Sequence, residues 1–417
     1  MQSLKINIEG DFWDSHMYMN RLYIWTYKGS VKVINWEKFI DYICDLYPEH
    51  KLPILCAFSR GDLLYNKVFE SIFQDVDIKK LITEKFEKLT NIDLTFNEKF
   101  LNNFLEGKEV NNPFKFLPID IDFCNREIYC IIDNAFEKIG INSTGKRPIK
   151  AKPIKIWDSQ IFSLKISKRG ECALSGGEDG LYEYDINQRE YYEDIFPKED
   201  KNLRQLSSRH SLFSTWNFAS IFSSSNVDKS YMAVYGWENV TQSITRYGQE
   251  FDIRVSKRKL ESILSEEQIF GNSENKLCWS GGDKIYQAVN NHIDVVNFYQ
   301  YNVTDEIDKN NIFSKSRSIE LKPWKGNIIN GGVAFFGCIV ECENALVVLL
   351  SNNEFENIPG EITKWRIFPK SKRYQNHLHV IKEDKLTIHS FNQDYFVDQK
   401  IKNLGMIYNK KETDVRY

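Results

Sequence analysis

Ser163–Asp185 has the sequence SLKISKRGECALSGGEDGLYEYD, in which short apolar and aromatic runs are separated by turns. Leu164 and Ile166 alternate with polar neighbours at its start. The turn Lys168–Gly170 then leads into a short apolar run, and a second turn, Gly176–Gly180, separates that run from an aromatic one. Period-two alternation interrupted by Gly and Asp is typical of strands joined by tight turns. The stretch predicts a small antiparallel β-meander.

Six further stretches show the same strand-turn-strand pattern. Leu277–Val289, LCWSGGDKIYQAV, places a Ser-Gly-Gly turn between two apolar runs, as the first stretch does. The others are Arg21–Trp36, Ile119–Ile141, His210–Trp237, Val333–Leu350 and His377–Phe396. Many short strands with regular turns and internal similarity are typical of a β-propeller. The chain therefore predicts a mainly β fold, a β-propeller of about seven blades.

At the level of fold, the chain resembles the WD40-like β-propellers. The resemblance rests on the Gly-Asp turn and flanking strands of Ser175–Asp185 and on the weaker copies. The chain departs from the WD40 pattern, because no predicted unit ends in Trp-Asp and none opens with Gly-His. The resemblance implies a propeller scaffold and carries over no functional residue.

A single propeller domain is expected to span residues 1–417. Its blades are expected at approximately 17–36, 115–142, 156–187, 207–237, 270–300, 330–368 and 372–396. The alternating residues Leu4, Ile6 and Ile8 predict a strand that completes the last blade, beside residues near Tyr395–Ile407. Such closure would remove exposed sheet edges, which otherwise promote aggregation.

A helical pattern interrupts the strands after the first blade. Apolar residues recur at helical spacing from Trp36 to Leu46, and similar spacing with intervening charges continues further along the chain. Residues 36–114 therefore predict a helical insertion. Its helices either form a small core of their own or present a docking surface to a partner.

A second, shorter helix is predicted at Lys257–Phe270. Its apolar residues Leu260, Ile263 and Leu264 follow the spacing that places side chains on one side of a helix. Polar residues separate them, as on an amphipathic surface helix.

Charge and hydropathy exclude several classes of protein. The net charge of −3 provides no global field that would attract nucleic acid or an anionic membrane. No signal segment opens the sequence, and the apolar run Ala345–Leu350 is too short to span a bilayer. Eight cysteines without a Cys-x-x-Cys pair favour buried thiols. We expect a cytoplasmic protein with no membrane partner, and its abundant Asn, Lys and Ile favour a bacterial source.

Two motifs resemble ligand sites but favour simpler interpretations. The Gly176–Gly180 turn lacks the following helix and the Lys-Ser/Thr of a phosphate-binding loop. His377 and His379 share one face of a predicted strand and His389 lies on the next, but a metal site needs further ligands and a second shell. The sequence therefore predicts no metal, no cofactor and no catalytic residue.

Arg209, His210 and Trp216 form the most concentrated polar and aromatic group in the chain. They lie in or beside a stretch with eight serines, 207–225. Inner strands of a propeller line its central channel, so these residues are candidates for binding a small anionic ligand. The alternative is a hydrogen-bond network inside one blade.

Two basic stretches are candidates for contact with nucleic acid. The candidate residues are Lys146, Arg147, Lys150, Arg366, Lys372 and Arg373. Basic side chains interleaved with aromatic ones can hold a phosphate backbone and stack bases. The alternative is a solvated loop face, because acidic segments elsewhere balance the charge.

The favoured function is a non-catalytic scaffold or adaptor that binds another protein. It follows from the repeated turn chemistry and from the lack of a recognisable catalytic motif. One alternative is a sensor of a small ligand or of nucleic acid, which such a ligand would stabilise against heat. A second alternative is a propeller hydrolase, which would need clustered acids or a metal. The oligomeric state and the partner are not specified by the sequence.

Overall fold

The structure is a computed structural model. It describes residues 3–66, 68–142, 148–150, 152–186, 202–246, 249–271, 277–289, 292–300, 312–320, 327–350, 354–392, 395 and 404–406. The chain divides into two compact units. Unit 1 contains residues 1–160 and 325–407, and unit 2 contains residues 161–324 and 408–417.

Strands dominate both units. The first part of unit 1 contains β1 (Leu4–Glu9), β2 (Phe12–Tyr18), β3 (Arg21–Thr26), β4 (Ser30–Asn35), β5 (Thr95–Asn97), β6 (Val110–Asn111), β7 (Asp120–Cys124), β8 (Glu127–Ile132), β9 (Ala135–Gly140) and β10 (Ile154–Trp157). Unit 2 contains β11 (Ser163–Ile166), β12 (Glu171–Ser175), β13 (Leu181–Asp185), β14 (Leu203–Ser207), β15 (Phe213–Asn217), β16 (Ser220–Ser224), β17 (Tyr231–Arg246), β18 (Gln249–Ser265), β19 (Cys278–Gly281), β20 (Lys284–Val289), β21 (His292–Phe298) and β22 (Phe313–Glu320). The second part of unit 1 contains β23 (Ile328–Val333), β24 (Gly337–Cys342), β25 (Ala345–Leu350), β26 (Phe355–Pro359), β27 (Lys364–Ile367), β28 (His377–Lys382) and β29 (Lys385–Ser390).

The described strands form seven sheets, six of four strands and one of five. In sequence order we number these sheets as blades. They are β2-β3-β4-β6 (blade 1), β7 to β10 (blade 2), β11 to β14 (blade 3), β15 to β18 (blade 4), β19 to β22 (blade 5), β23 to β26 (blade 6) and β27-β28-β29-β1-β5 (blade 7). Seven small meandering sheets define a β-propeller. The expected mainly β, seven-bladed fold is confirmed.

Blade 7 of unit 1 combines the first strand of the chain with the last ones. β1 pairs antiparallel with β29, from Leu4 opposite Ser390 to Glu9 opposite Lys385. Leu4, Ile6 and Ile8 are buried, as the alternation predicts. The expected closure is therefore present, but the partner strand is β29 rather than residues near Tyr395–Ile407. β5 adds a fifth strand, parallel to β1.

The predicted helical insertion lies inside blade 1, between β4 and β6. Its helices are α1 (Trp36–Leu46), α2 (Lys51–Phe58), α3 (Glu70–Phe73), α4 (Val76–Leu89) and α5 (Glu98–Leu101). The Asn35 side chain accepts a hydrogen bond from the Lys38 amide, and this cap begins α1 where β4 ends. Trp36, Phe39 and Ile40 are fully buried in the same apolar cluster as Ile6 and Ile8 of blade 7. The insertion and the blade therefore share one core.

The helices of the described residues are short. The longest, α4, has 14 residues and carries charged side chains along its exposed side. Crossing the hydrocarbon core of a bilayer takes about 20 consecutive apolar residues. No described helix is both long enough and apolar enough to span a membrane.

Unit 2 contains blades 3, 4 and 5, and blade 4 ends in a long hairpin. β17 and β18 pair over their whole length, from Tyr231 opposite Ser265 to Arg246 opposite Gln249. β16 pairs with β17 only as far as Ala233. Beyond that residue the two long strands continue as a ribbon.

The helix predicted at Lys257–Phe270 is wrong for most of its length. Only α6 (Glu266–Phe270) is helical, and the preceding residues belong to β18. A β-bulge causes the difference, because Val234 lies opposite Ser262 whereas Tyr235 lies opposite Leu260. The extra residue changes the alternation of side chains, so a strand acquires the spacing of a helix.

The two Ser-Gly-Gly turns lie at different places in their blades. In blade 3 the turn that contains Gly176 joins the second and third strands, β12 and β13. In blade 5 the turn that contains Gly282 joins the first and second strands, β19 and β20. Each stretch is a strand pair, as predicted. The two pairs are not equivalent repeats, however, because their positions in the blades differ by one strand.

Candidate functional site

The structure does not bring the three candidate ligand-binding residues together. Arg209 and His210 lie in the loop before β15, and Trp216 lies near the other end of that strand. At about 3.3 Å per residue, Trp216 lies roughly 10 Å beyond the first residue of β15. Its indole nitrogen donates to the backbone oxygen of Lys165, 2.8 Å away, and its ring lies beside Arg258.

The serines near this loop are largely buried and bonded within the blade. Ser211 and Ser223 form a hydrogen bond of 2.8 Å between buried hydroxyl groups. His210 Nδ1 lies 2.7 Å from the hydroxyl of Ser225. The Arg209 guanidinium lies over the ring of Tyr231, at 5.8 Å from its centroid. These contacts correspond to the alternative, a hydrogen-bond network inside blade 4.

Arg366, a candidate for nucleic-acid contact, lies in the interior of unit 1. Its guanidinium forms two hydrogen bonds with Asp14, of 2.5 and 2.6 Å. It also contacts Asp120 at 3.1 Å and donates to the backbone oxygen of Ile121. These contacts occupy the guanidinium with partners from unit 1.

The remaining basic candidates have different surroundings. Arg373 donates to the side chain of Asn20 at 2.7 Å, and the stem of Lys150 lies against Gly140. Lys372 and Lys150 are exposed. Lys146 and Arg147 lie outside the described residues. Contact with nucleic acid stays a prediction for these residues.

An ion-pair network that no sequence motif indicates links strands of blades 1, 2 and 7. Asp14 on β2 binds Arg366 and Lys364 of β27, the latter at 2.9 Å. Beside it, Lys370 binds Asp122 of β7 at 2.6 Å. Burial alone would raise the pKa of Asp14, but the charges of Arg366 and Lys364 lower it to about 2. Three acids and three bases balance in this network, so it serves to join strands.

Four buried histidines lie on β2, β28 and β29 of blades 1 and 7. His377 donates from Nε2 to the backbone oxygen of Ala57 at 2.9 Å, and His379 Nδ1 lies 3.0 Å from the hydroxyl of Ser15. His389 lies 2.9 Å from the hydroxyl of Ser3. His16 packs on the ring of Phe123. No group of three ligand-type side chains with metal-binding geometry occurs among the described residues.

Burial sets the protonation state of these histidines. It lowers the pKa of His16 to about 3 and that of His377 to about 4. The pKa values of His379 and His389 are also lowered, first by burial. Neutral His377 is the Nε2–H tautomer, because Nε2 faces a carbonyl oxygen.

Two buried basic residues of blade 1 hold the end of the insertion. Lys32 binds Glu98 at 2.8 Å and Glu109 at 3.3 Å. Arg21 forms an ion pair with Glu106. The side chain of Lys32 is 3% exposed, whereas those of Glu98 and Glu109 are 33% and 41% exposed, so the lysine is buried while water reaches its acidic partners.

The insertion is also fixed to blade 7 through one carbonyl group. The backbone oxygen of Ala57 in α2 accepts hydrogen bonds from Asn376, His377 and Ser390. The last carbonyls of a helix have no partner within the helix, so such donors complete its end. With the ion pairs of Lys32 and Arg21, this contact fixes two separate parts of the insertion, α2 and residues 98–109, to the blades of unit 1.

The outer side of the insertion is unusually apolar. Among the described residues, 19 large apolar side chains are exposed, and eight of them lie between residues 36 and 114. They are Tyr42, Leu46, Leu52, Val68, Phe69, Ile72, Val76 and Leu81. Val76 is 81% exposed. A segment with many exposed apolar side chains is a candidate surface for binding other molecules. We take the outer side of the insertion as the candidate functional site.

Comparisons with known proteins define no specific family. No family model and no curated protein matches the chain. The WD40 domain of Neurospora crassa Pan2 is 11% identical, with a TM-score of 0.38, over 66% of this chain and 75% of that chain. The β-propeller domain of Myceliophteria thermophila Cps50 (Swd1) is 9% identical, with a TM-score of 0.38, over 66% of this chain and 97% of that one. A streptogramin B lyase is 8% identical, with a TM-score of 0.43, over 94% of this chain and 99% of that one.

Such low identities and TM-scores carry no argument about function. The assignment of the fold rests on the seven sheets of the described residues. The resemblance to WD40-like propellers is confirmed at the level of fold alone.

Proposed function

We propose that the chain is a non-catalytic scaffold that binds a partner protein through the outer side of its helical insertion. The observation that carries the proposal is the concentration of exposed apolar side chains there. The insertion contributes 79 of 417 residues but eight of the 19 exposed large apolar side chains among the described residues. Exposed apolar side chains concentrated in one part of a protein are typical of a surface that a partner covers.

The attachment of the insertion supports the same function. Ion pairs of Lys32 and Arg21 and the shared carbonyl of Ala57 fix it to the blades of unit 1. A surface held in one geometry loses little conformational freedom on binding, so more of the contact energy contributes to affinity. The partner would be a protein of the same compartment, which the sequence predicts to be the cytoplasm.

Affinity isolation of the tagged chain from its own cells, treated with nuclease, tests the proposal. The test variant carries Leu46→Ser, Ile72→Ser, Val76→Ser and Leu81→Ser. The matched control carries Ile154→Ser, Val227→Ser and Phe355→Ser, which change exposed apolar residues outside the insertion. All seven substituted positions in the two variants are exposed, so both variants should keep the fold. Circular dichroism checks this.

The expected result is a stoichiometric protein that survives nuclease, remains with the control and is lost with the insertion variant. Isolation of the chain alone, or a protein retained by the insertion variant, would contradict the proposal. A partner released by nuclease would favour the nucleic-acid alternative instead.

A further inference from the structure

Part of the outer side of the insertion is an aromatic shelf, formed by Tyr42, Leu46, Phe96, Phe100 and Phe104. Tyr42 and Leu46 are one helical turn apart on α1. The three phenylalanines follow one another at four-residue intervals through β5, α5 and the turn after it. This spacing places them side by side along one line of the segment.

The shelf is a continuous aromatic surface. Phe100 packs on Phe96 and Phe104, with ring centroids 5.4 and 5.6 Å apart. Tyr42 joins from α1, at 5.3 Å from Phe100 and 5.6 Å from Phe104. The fully buried ring of Phe39 lies beneath, at 5.1 Å from Phe96. These centroid distances fall in the range of favourable aromatic pairs.

The shelf stays open to solvent although its rings pack on one another. Tyr42 is 37% exposed and Leu46 is 48% exposed. Phe96, Phe100 and Phe104 are half-buried, whereas neighbouring Leu101 points into the core and is fully buried. Rigid aromatic side chains of this kind supply a large contact area and lose little conformational entropy on binding.

The charge around the shelf specifies its partner. Residues 36–114 contain 14 acidic and 10 basic residues, a net charge of −4, whereas the whole chain has −3. The part of the chain outside the insertion is therefore not acidic on balance. Exposed Asp41, Asp45 and Glu49 lie on or just after α1, beside Tyr42 and Leu46, and Lys38 opposes them. Lys99 of α5 is also exposed, so the acidic rim is confined to the α1 edge of the shelf. An acidic rim along one edge of an apolar surface favours a basic partner there by electrostatic complementarity.

We propose that the aromatic shelf binds a basic amphipathic helix of the partner protein. This inference rests on the function proposed above. Apolar side chains of that helix at positions i, i+3 or i+4 and i+7 cover the aromatic rings. Its Lys and Arg residues contact the rim at Asp41, Asp45 and Glu49. A second copy of the chain is disfavoured, because its insertion carries the same net negative charge. An anionic membrane is disfavoured for the same reason.

A displayed library of helix-favouring peptides, selected on the whole chain, tests the proposal. Enriched peptides are expected to have an apolar stripe and a surplus of Lys and Arg. Their binding, measured by fluorescence anisotropy of labelled peptide, should weaken as salt rises. Tyr42→Ser with Leu46→Ser should weaken it about tenfold or more, the loss expected from removing two anchors of an interface.

Two further variants separate apolar contact from charge. Asp41→Lys with Asp45→Lys should weaken the same peptides while leaving the rings intact. Ile154→Ser, an exposed apolar position of β10, should leave the affinity unchanged. Equal melting temperatures of all variants would show that folding is unaffected.

Acidic or uncharged enriched sequences, or peptides that bind the Tyr42/Leu46 variant as well as the unchanged chain, would overturn the proposal. A concentration-dependent dimer that the Tyr42/Leu46 variant abolishes would overturn it in favour of a second copy. In either case the wider function stays testable, because the affinity isolation uses three substitutions away from the shelf. If the insertion variant loses the partner but the Tyr42/Leu46 variant still binds it, only the present inference is refuted.

Discussion

Asp14 illustrates how a buried charge is maintained in this fold. Its carboxylate is fully buried, and removing it from water is unfavourable. Arg366 and Lys364 offset that penalty with hydrogen-bonded ion pairs, and the pKa of Asp14 is lowered to about 2 although burial acts in the opposite direction. The charged form is therefore the stable one at neutral pH.

Removing one member of this network should be more harmful than removing a pair. We expect Arg366→Met to reduce the free energy of unfolding by about 3–5 kcal/mol, because Asp14 loses its bidentate partner. Asp14→Leu combined with Arg366→Met should recover part of that loss. Urea unfolding at pH 7 of the two single variants and the double variant measures the coupling. A loss in the double variant equal to the sum of the two single losses would show that the pair does not act as a unit.

The buried histidines should make the protein sensitive to acid. The pKa values of His16, His377, His379 and His389 are lowered in the folded state, so the unfolded chain binds more protons below its histidine pKa of 6.5. Stability should therefore be complete above pH 6.5 and fall as the pH decreases towards 4. Each histidine contributes up to about 1.4 kcal/mol per pH unit to that slope.

His379→Gln tests this pH dependence, because glutamine can still bond the hydroxyl of Ser15 but does not titrate. The free energy of unfolding, measured by urea at several pH values from 7 to 4, should depend less steeply on pH in the variant by about one proton. At pH 8 the two proteins should differ only by a constant packing term. An unchanged slope would mean that His379 is not neutral and buried.

These residues mark a limit of prediction from sequence. Asp14 and Arg366 are 352 positions apart, and nothing local to either residue indicates the other. Arg366 lies in a run of basic and aromatic residues that is typical of a surface loop. Only the pairing of β27 within blade 7 places its side chain inside.

Tight turns show, at the scale of the element, what local sequence does predict. Gly29 and Gly180 both adopt the left-handed backbone conformation, with φ of +76° and +94°. Glycine adopts this conformation without strain, so the turn predicted at Gly176–Gly180 and the turn inside the predicted strand pair Arg21–Trp36 both occur. Which hairpin of a blade a turn belongs to depends on the whole sheet. The two Ser-Gly-Gly stretches therefore look alike in sequence although their positions in the blades differ by one strand.

Gly180→Ala should destabilise the protein more than Gly29→Ala. A Cβ atom on Gly180 would lie 2.0 Å from the backbone oxygen of Ser207, whereas one on Gly29 would meet nothing within 4 Å. We expect Gly29→Ala to cost about 1–2 kcal/mol through backbone strain alone. Gly180→Ala adds the displacement of β14. Thermal and urea unfolding of the two variants would contradict this if their losses were equal.

The long strand β18 shows why the type of an element can be mistaken. Leu260, Ile263 and Leu264 have helical spacing only because the bulge adds one residue to the strand. Leu264 packs in one apolar cluster, and Leu260 and Ile263 pack against another. These three residues thus contact both sides of a sheet, although their spacing in the sequence is that of one side of a helix.

At the scale of the whole molecule, the sequence was sufficient for the class of fold because the repeated strand pairs are local. It did not predict that the insertion divides blade 1 and supplies a strand to blade 7. Such pairings join distant parts of the chain and depend on packing rather than on local pattern. The same reason hides the aromatic shelf, since Tyr42 and Phe100 meet only after folding.

Closure of blade 7 should be necessary for a stable monomeric fold. Ile6→Asp would place a charge at a fully buried position of β1 and weaken its pairing with β29. We expect faster hydrogen exchange of the β29 amides and aggregation through the freed sheet edge. Lys5→Gln, at an exposed position of the same strand, is the control and should have little effect. Unchanged exchange in Ile6→Asp would show that β1 is dispensable.

The pairing of β1 with β29 also constrains how the protein is made. A ribosome produces β1 early, but the residues of β29 follow some 380 positions later, which at 5–20 residues per second means a delay of roughly 20–80 s. During that interval the apolar side chains of β1 lack their antiparallel neighbour. β5 of the insertion is synthesised much sooner and pairs with the other edge of β1. The insertion can thus hold the nascent strand until translation supplies the last blade.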